Sequence, residues 1–430
     1  MGMKAYPTYK DSGVQWISEV PDTWNVFPAK QLFSDSKERR RKDDTFLTAS
    51  QKYGVISQQR YMQLIGGRIV QASQDFDKWK HVEPDDFVIS LRSFQGGLEM
   101  CTERGCVTWH YVVLKPKAEI IPLYFKWLFK SYLYIKSLQS TCNFIRDGQD
   151  LRYSNFVQVP IPVPSLDEQK AIASFLDKKC AEIDELVSRR LAIIERLKEL
   201  KQSIIADAVT KGLNPDVPMK GSGIAWLGDV PKHWKILRLK NVASVITDTL
   251  SEKTNPDFEF DYVDISSVTQ EQGILKTERF KFSNAPSRAR RKVQAGDIII
   301  STVRTYLRAI AVISKENENI IASTGFAVVR SKQFSYVAYV MSSHSFISMV
   351  STLSTGVSYP AITSNKLLRI HIAFPPEEDQ QAIVAYLDKK CAEIDELVAR
   401  QEQIIEKLKE LKTSTIAHVV TGKVDVRDAI

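Results

Sequence analysis

The sequence predicts an α+β chain in which two globular domains alternate with two long antiparallel coiled-coil helices, a tandem duplication with a pseudo-two-fold axis. Three observations predict it. The string LDKKCAEIDELV occurs at residues 176–187 and again at 387–398, a shift of 211 residues with all 12 positions identical. Self-similarity at a fixed shift marks a repeated structural unit. A weaker echo opens each half, where SGVQWISEVPDTW (12–24) faces SGIAWLGDVPKHW (222–234) with Ser, Gly, Trp, Val, Pro and Trp in register. Third, the apolar residues beyond each identical string fall at heptad spacing, which requires a long helix with a mate.

These signals set the boundaries at 1–164 for the first globular domain, 165–211 for the first helix, 212–375 for the second domain, 376–421 for the second helix and 422–430 for a tail. Between the matched ends the halves diverge, yet both keep an acidic turn running into a buried-strand pattern: DDFVISLR (85–92) in one, GDIIISTVR (296–304) in the other. Each then shows a second strand, YVVLK or FAVVR, followed by a helical stretch at about 122–138 or 335–350. The scaffold is shared and the decoration differs.

In the first helix the predicted seam is Ile183, Leu186, Ile193, Leu197, Leu200 and Ile204, with Arg190 interrupting one core position. In the second it is Ile394, Leu397, Ile404, Leu408 and Leu411, with Gln401 and Thr415 at matching positions. Ser165 and Glu168 have capping-box spacing, and Gly212 supplies the stop; Pro375-Pro376 and Gly422 punctuate the second copy in the same way. About 43 residues at ~1.5 Å each make a rod of ~65 Å. An amphipathic helix of this kind must bury its seam, and its own duplicate, antiparallel, is the available mate. A bare strap would need one such helix; two, alternating with variable globes, suit a spacer between two readers.

The 430 residues are 43% hydrophobic, more than one core holds, since single cores stop growing near ~250–300 residues. No apolar run reaches the ~20 residues of a membrane span, and residues 1–10 lack a signal-like stretch, so a soluble cytoplasmic chain is expected. The five cysteines contain no CxxC pair, which suits a reducing compartment. Cys101, Cys106 and His110 have irregular spacing and no fourth ligand nearby, so they are expected to pack near strand ends and to hold no metal. The twins Cys180 and Cys391 are expected to stay reduced and apart. A formal net charge of +8 favours a polyanionic partner.

With these residues in view the chain resembles the specificity subunits of type I restriction-modification systems. The carriers are PSLDEQKAIASFLDKKCAEIDEL (164–186), its twin PPEEDQQAIVAYLDKKCAEIDEL (375–397), the two domain openings, KGLNPDVPMKGSG (211–223) and STGFAVVR (323–330). The resemblance spans nearly the whole chain. It implies that each variable half is a target-recognition domain reading one part of a split, asymmetric sequence in double-stranded DNA, and that the helices fix the unread spacer. It further implies two methyltransferase subunits docked on the helices and two restriction subunits in the full complex. S-adenosylmethionine and ATP with magnesium would belong to those partners, with no cofactor on this chain.

Absent motifs agree with a non-catalytic subunit. There is no Asn-Pro-Pro-aromatic run and no GxGxxG, and Gly422-Lys423 is followed by Val424 with no phosphate loop before it. Carboxylate-x-Lys triplets such as Glu199-Leu200-Lys201 lie on a charged helix face.

DNA contacts need Lys and Arg on exposed loops for phosphates, and Arg, Asn or Gln at groove edges for bases. Two clusters qualify, Arg39-Arg40-Arg41-Lys42 in the first half and Arg288, Arg290, Arg291 and Lys292 in the second, although such runs also occur as plain solvated faces. Arg92, Arg304 and Arg308 follow buried-strand patterns, and Arg146 and Arg152 flank a glycine-containing loop. Because the halves differ in these stretches, the two half-sites should differ, about one to two helical turns apart (~34–70 Å). Two other readings remain. A fused enzyme would transfer methyl groups without a second protein, and an adaptor would show no salt-dependent DNA binding.

Overall fold

The continuous apolar runs become central strands because both of their faces are buried. The computed structural model describes residues 4–69, 75–91, 93–142, 151–314, 319–356 and 359–428, and the chain divides into two compact units, Met1–Arg190 with Glu402–Ile430, and Leu191–Gln401. In the first unit an antiparallel sheet runs Phe33–Ser36, Val112–Pro116, Phe87–Ile89, Glu99–Met100, with Val113 opposite Val88. Phe87 and Ile89 face a core shared with the helices, and Val88 faces a second core with Val113, Leu47 and Val107. The second unit repeats the plan with Ala243–Ile246, Phe326–Ser331, Ile298–Ser301 and Ile310–Val312. There Ile298 and Ile300 face the helices while Ile299 faces the other layer.

Both predicted helical stretches break in two. Pro122–Lys130 and Tyr132–Ser140 are divided at Ser131, and Phe334–Ser342 and His344–Leu353 at Ser343. Each serine takes an extended ψ, and its hydroxyl accepts from the backbone N–H three residues on, capping the second helix.

The long helices are Leu166–Lys211 and Glu377–Val420, closed by Gly212 and Gly422 in left-handed conformation. Neither stands apart from the globes as the predicted boundaries have it. The first unit's core takes Ile172, Leu176 and Cys180 from the start of one helix and Ile416, Val419 and Val420 from the end of the other. The second unit's core takes Ile205, Ala208 and Val209 with Ile383, Leu387 and Cys391. Within each unit the two segments run antiparallel: the Lys412 ammonium donates to Asp184 at 2.6 and 2.7 Å, and Lys201 to Asp395 at 2.7 Å.

The expected seam is corrected at five of its eleven positions. Ile183 and Ile394 are buried, and Leu197, Ile204, Ile404 and Leu408 half-buried, but Leu186, Ile193, Leu200, Leu397 and Leu411 are exposed. The inward row runs through Val187, Ile194 and Lys201, and through Val398, Ile405 and Lys412 in the twin. Neighbouring apolar pairs such as Leu186-Val187 and Ile193-Ile194 satisfy two seams offset by one residue at alternate positions. The buried row keeps a lysine whose stem packs while its ammonium reaches an aspartate on the facing helix.

Candidate nucleic-acid interface

The layer behind each central sheet differs between the units, and it carries the two predicted basic clusters. In the first unit Arg39–Lys42 occupy the connection after strand Phe33–Ser36, laid along Lys80–Val82. Arg39 forms a bridge with Lys80, and the Arg40 N–H donates to the Trp79 carbonyl at 2.9 Å. A polar clamp fixes this connection. The buried Asp44 carboxylate accepts the Arg41 N–H at 2.7 Å and contacts His81 Nδ1 at 2.8 Å, while His81 Nε2 lies 2.8 Å from Glu83. The hydrogen bond with His81 holds the Glu83 carboxyl below its usual range, and the Arg41 guanidinium does the same to Glu38.

The four basic side chains differ in their freedom. Arg41 forks onto Glu38 and reaches Glu83, so two carboxylates answer its charge. The Arg40 guanidinium lies 5.6 Å from the Phe46 ring centre. Arg39 and Lys42 are exposed; Arg39 Nη1 donates to the Lys78 carbonyl, and the Lys78 ammonium stands 6.0 Å from the ring of exposed Trp109, stacked on His110. The fold thus joins Arg39 and Lys78 to an aromatic surface that sequence reasoning missed. Arg152 is exposed, its N–H donating to Asn155 Oδ1. Arg92 and Arg146 lie outside the described residues. Cys101 and Cys106 are core residues, and burial pushes the Cys106 thiol up to about 11.

In the second unit the expected exposed basic loop is corrected to a strand. Ala289–Lys292 is the edge of a sheet ordered Glu278–Lys281, Glu259–Val263, Ile320–Ser323, Ala289–Lys292, with a bulge between Ala289 and Arg291. The Arg290 guanidinium lies 4.5 Å from the Phe282 ring centre, Arg291 is half-buried, and Arg288 and Lys292 are exposed. Edge strands commonly carry charge, which blocks pairing with another chain. The fold also draws two predicted segments together: the Thr324 N–H donates to the Arg288 carbonyl, and Thr302 N–H and Oγ1 both donate to the Gly325 carbonyl.

Thr302 leads into the turn bearing Arg304 and Arg308. Both have positive φ, 51° and 52°, and bracket the helical turn Thr305–Leu307. A non-glycine residue there costs roughly 1–3 kcal/mol, and such strain gathers at functional sites. Each unit therefore presents exposed guanidinium and ammonium groups on a rigid β layer, able to neutralise phosphates or fork onto base edges.

A duplicated scaffold with two differently decorated basic layers, each closed by segments of two long helices, defines a two-domain sequence reader. The model of the type I restriction modification DNA specificity domain matches residues 21–196 and 231–410, and the chain belongs to that family. A Methanocaldococcus jannaschii protein named as the MjaX specificity subunit is 22% identical over 96% of each chain. The EcoKI specificity subunit of Escherichia coli K12 is 23% identical over 72% of this chain and 67% of its own. A solved chain described as "Structural basis underlying complex assembly and conformational transition of the type I R-M system" shares the fold with a TM-score of 0.66 at 16% identity, covering 93% of this chain and 98% of that one. The HsdS subunit from Thermoanaerobacter tengcongensis aligns with a TM-score of 0.50 at 17% identity, over 94% and 98%. The chain is a type I DNA specificity subunit, and its two matched domains fit recognition of a bipartite target.

Proposed function

We propose that this chain is the non-catalytic reader of a cytoplasmic restriction-modification complex: each unit recognises one half of an asymmetric target in double-stranded DNA, and the helices carry the catalytic partners. The observation that carries this reading is the contrast between a repeated scaffold and unrelated basic layers. Two readers of one symmetric sequence would share their decoration.

Partner docking is supported by the leucines that the helix seam leaves outside. Leu186 and Leu411 are exposed in the first unit, Leu200 and Leu397 in the second, so each unit offers an equivalent apolar pair. One methyltransferase subunit on each unit, with two restriction subunits completing the assembly, satisfies this duplication. In this assignment S-adenosylmethionine serves the methyltransferase subunits and ATP with magnesium the restriction subunits.

The test is a genome-wide adenine-methylation map from cells expressing the methyltransferase partner with this chain, without it, and with residues 30–160 replaced by the matching domain of another family member. Loss of one split motif without the chain, and a change in only one half-site after the swap, are expected. An unchanged map in an otherwise active system favours an adaptor, and a change in both half-sites defeats modular reading.

A further inference from the structure

We propose that the Arg304–Arg308 turn, with Tyr359 beside it, forms the groove-entering tip of the second unit, with Arg304 and Arg308 as specificity-determining residues and Tyr306 and Leu307 as its apolar crown. This rests on the DNA-reading role above and names the part of the second unit that performs it.

Two loops far apart in sequence are bonded into one body here. The Ile362 N–H donates to the Thr302 carbonyl at 2.9 Å, Val303 bridges Ala361, and the Thr305 and Ser354 hydroxyls lie 2.9 Å apart. Thr355 and Ala361 are themselves paired by reciprocal bonds, each 2.9 Å. Inside the turn, the Leu307 N–H donates to the Arg304 carbonyl and the Arg308 N–H to that of Thr305. A turn so completely hydrogen-bonded can hold left-handed arginines at both shoulders, whereas a slack loop would relax them. Rigidity of this kind suits a reader, because a pre-set side chain loses little entropy on binding.

What the body displays is large, apolar and basic at once. Tyr306 is 56% exposed, Leu307 42% and Tyr359 65%. The Arg304 guanidinium lies 4.9 Å from the Tyr359 ring centre, and Arg308 Nη1 is 3.2 Å from His344 Nδ1. An arginine laid against an aromatic face keeps its planar fork oriented, and that fork matches the two acceptors of a guanine edge in the major groove. Tyr306 and Leu307, side by side at the apex, offer apolar contact to a thymine methyl or a base step. A protein partner would suit the apolar crown alone, but the cations on both shoulders and the chain's net charge of +8 favour a polyanion. Among the described residues the first unit does not copy this tip, its matching connection carrying the short helix Ser93–Gly96. One of its exposed aromatics, Trp109, lies just before strand Val112–Pro116, so unlike half-sites would be read by unlike devices.

The experiment uses the whole complex with its methyltransferase partner and maps methylated motifs for Arg304→Ala, Arg304→Lys, Tyr306→Ala and Arg279→Ala. Arg279 is an exposed arginine of the same unit, on the edge strand of the other sheet and paired with Glu259. Arg304→Ala and Tyr306→Ala are expected to relax discrimination in one half-site by roughly 10- to 100-fold, leaving the other half-site and assembly intact. Arg304→Lys should relax it too, because an ammonium cannot fork, while Arg279→Ala should leave the motif unchanged. The tip assignment is overturned if the Arg304 and Tyr306 variants keep the full motif, or if they abolish complex assembly, which would make the turn a protein interface. Exchanging the entire second unit separates this from the broader reading: a motif altered by the exchange but not by the point variants removes the tip alone, and a motif unaltered by either removes DNA reading.

Discussion

The two units solve the same joining problem with matched residues and then diverge completely behind the central sheet. The Tyr124 hydroxyl donates to the carbonyl of Pro162 and lies within reach of that of Val420, and the Tyr336 hydroxyl makes the same pair with Ala373 and Val209. Trp24 Nε1 donates to Glu168 and Trp234 Nε1 to Asp379, each at 2.9 Å. Gln169 and Gln380 each donate a side-chain N–H to the carbonyl of the proline before their helix. The contacts to Val420, Val209, Glu168 and Asp379 tie globe to helix, and those to Pro162 and Ala373 fix the strand that leads into each helix. Behind the sheet, one unit has a hairpin, Leu47–Ser50 with Gly54–Ser57, and the other a four-stranded sheet containing a parallel pair, Glu259–Val263 beside Ile320–Ser323. The fold thus concentrates sequence freedom in a layer that takes little part in the helix junction, the Gln270 amide donating to Gln202 being one contact it makes there.

The largest expected effect breaks one junction and spares the other. Trp24 and Trp234 are almost fully buried, and each indole donates to a carboxylate at the start of a long helix. Replacing either with alanine should cost about 3–5 kcal/mol. Hydrogen exchange read by mass spectrometry should show Trp24→Ala losing protection in its own unit, residues 416–420 included, with residues 205–209 little changed, and Trp234→Ala doing the reverse. Equal loss in both units under either variant would show that the chain does not divide this way.

A second pair sharpens the comparison at an ion pair. Asp297 takes both arms of Arg330, at 2.6 and 2.8 Å, and the Gln294 N–H at 2.9 Å, whereas its counterpart Asp86 takes the single Lys115 ammonium at 3.1 Å and the Glu83 N–H. Arg330→Met removes two charge-assisted bonds and leaves the buried Asp297 carboxylate with only the Gln294 N–H, and should cost about 3 kcal/mol at pH 7. Lys115→Met should cost nearer ~1 kcal/mol, because it removes one longer contact where Arg330→Met removes two short ones. Burial already raises the Asp86 pKa. A carboxyl with a raised folded pKa binds its proton more tightly in the folded state, so stability rises as pH falls through that pKa and levels off below the unfolded value near ~3.9. The Lys115→Met deficit should therefore shrink between neutral pH and about pH 4, measured by urea denaturation; a deficit independent of pH would remove Asp86 as its source.

What the sequence disclosed follows from how unambiguous each physical signal is. FVI, III, VVL and FAVV are continuous apolar runs that only a strand buried on both faces can use, and all four pair as central strands. The serine and glycine punctuation of the long helices was legible because few residues suit those conformations. The seam was not, since Leu186-Val187 permits two heptad registers and only packing chooses. Arg290 and Arg291 read as a loop because charge is rare inside a sheet, although an edge strand with a bulge accommodates it. Trp109 and Tyr359 passed unnoticed, for a lone aromatic in a divergent stretch usually belongs to a core; the glycine and proline around Tyr359, in TGVSYP, were the one available sign that it stands on a loop.

The smallest effect concerns the glycines that end the two helices. Gly212 and Gly422 share a left-handed backbone, φ 78° and 71°, so alanine at either meets a conformational cost of about 1–2 kcal/mol. Their surroundings separate them. A Cβ on Gly212 would approach the edge of the Trp234 ring at 3.1 Å, which a small shift relieves; on Gly422 it would stand 2.4 Å from Cδ and 2.7 Å from Cγ of Pro21, a ring held in a strand. Gly422→Ala should therefore destabilise by about 1 kcal/mol more than Gly212→Ala, as overpacking adds to backbone strain. Thermal unfolding of the two variants measures the difference directly. If it vanished, the Pro21 contact would have to be soft, and the tail that closes the first unit would be held more loosely than the continuous chain that closes the second.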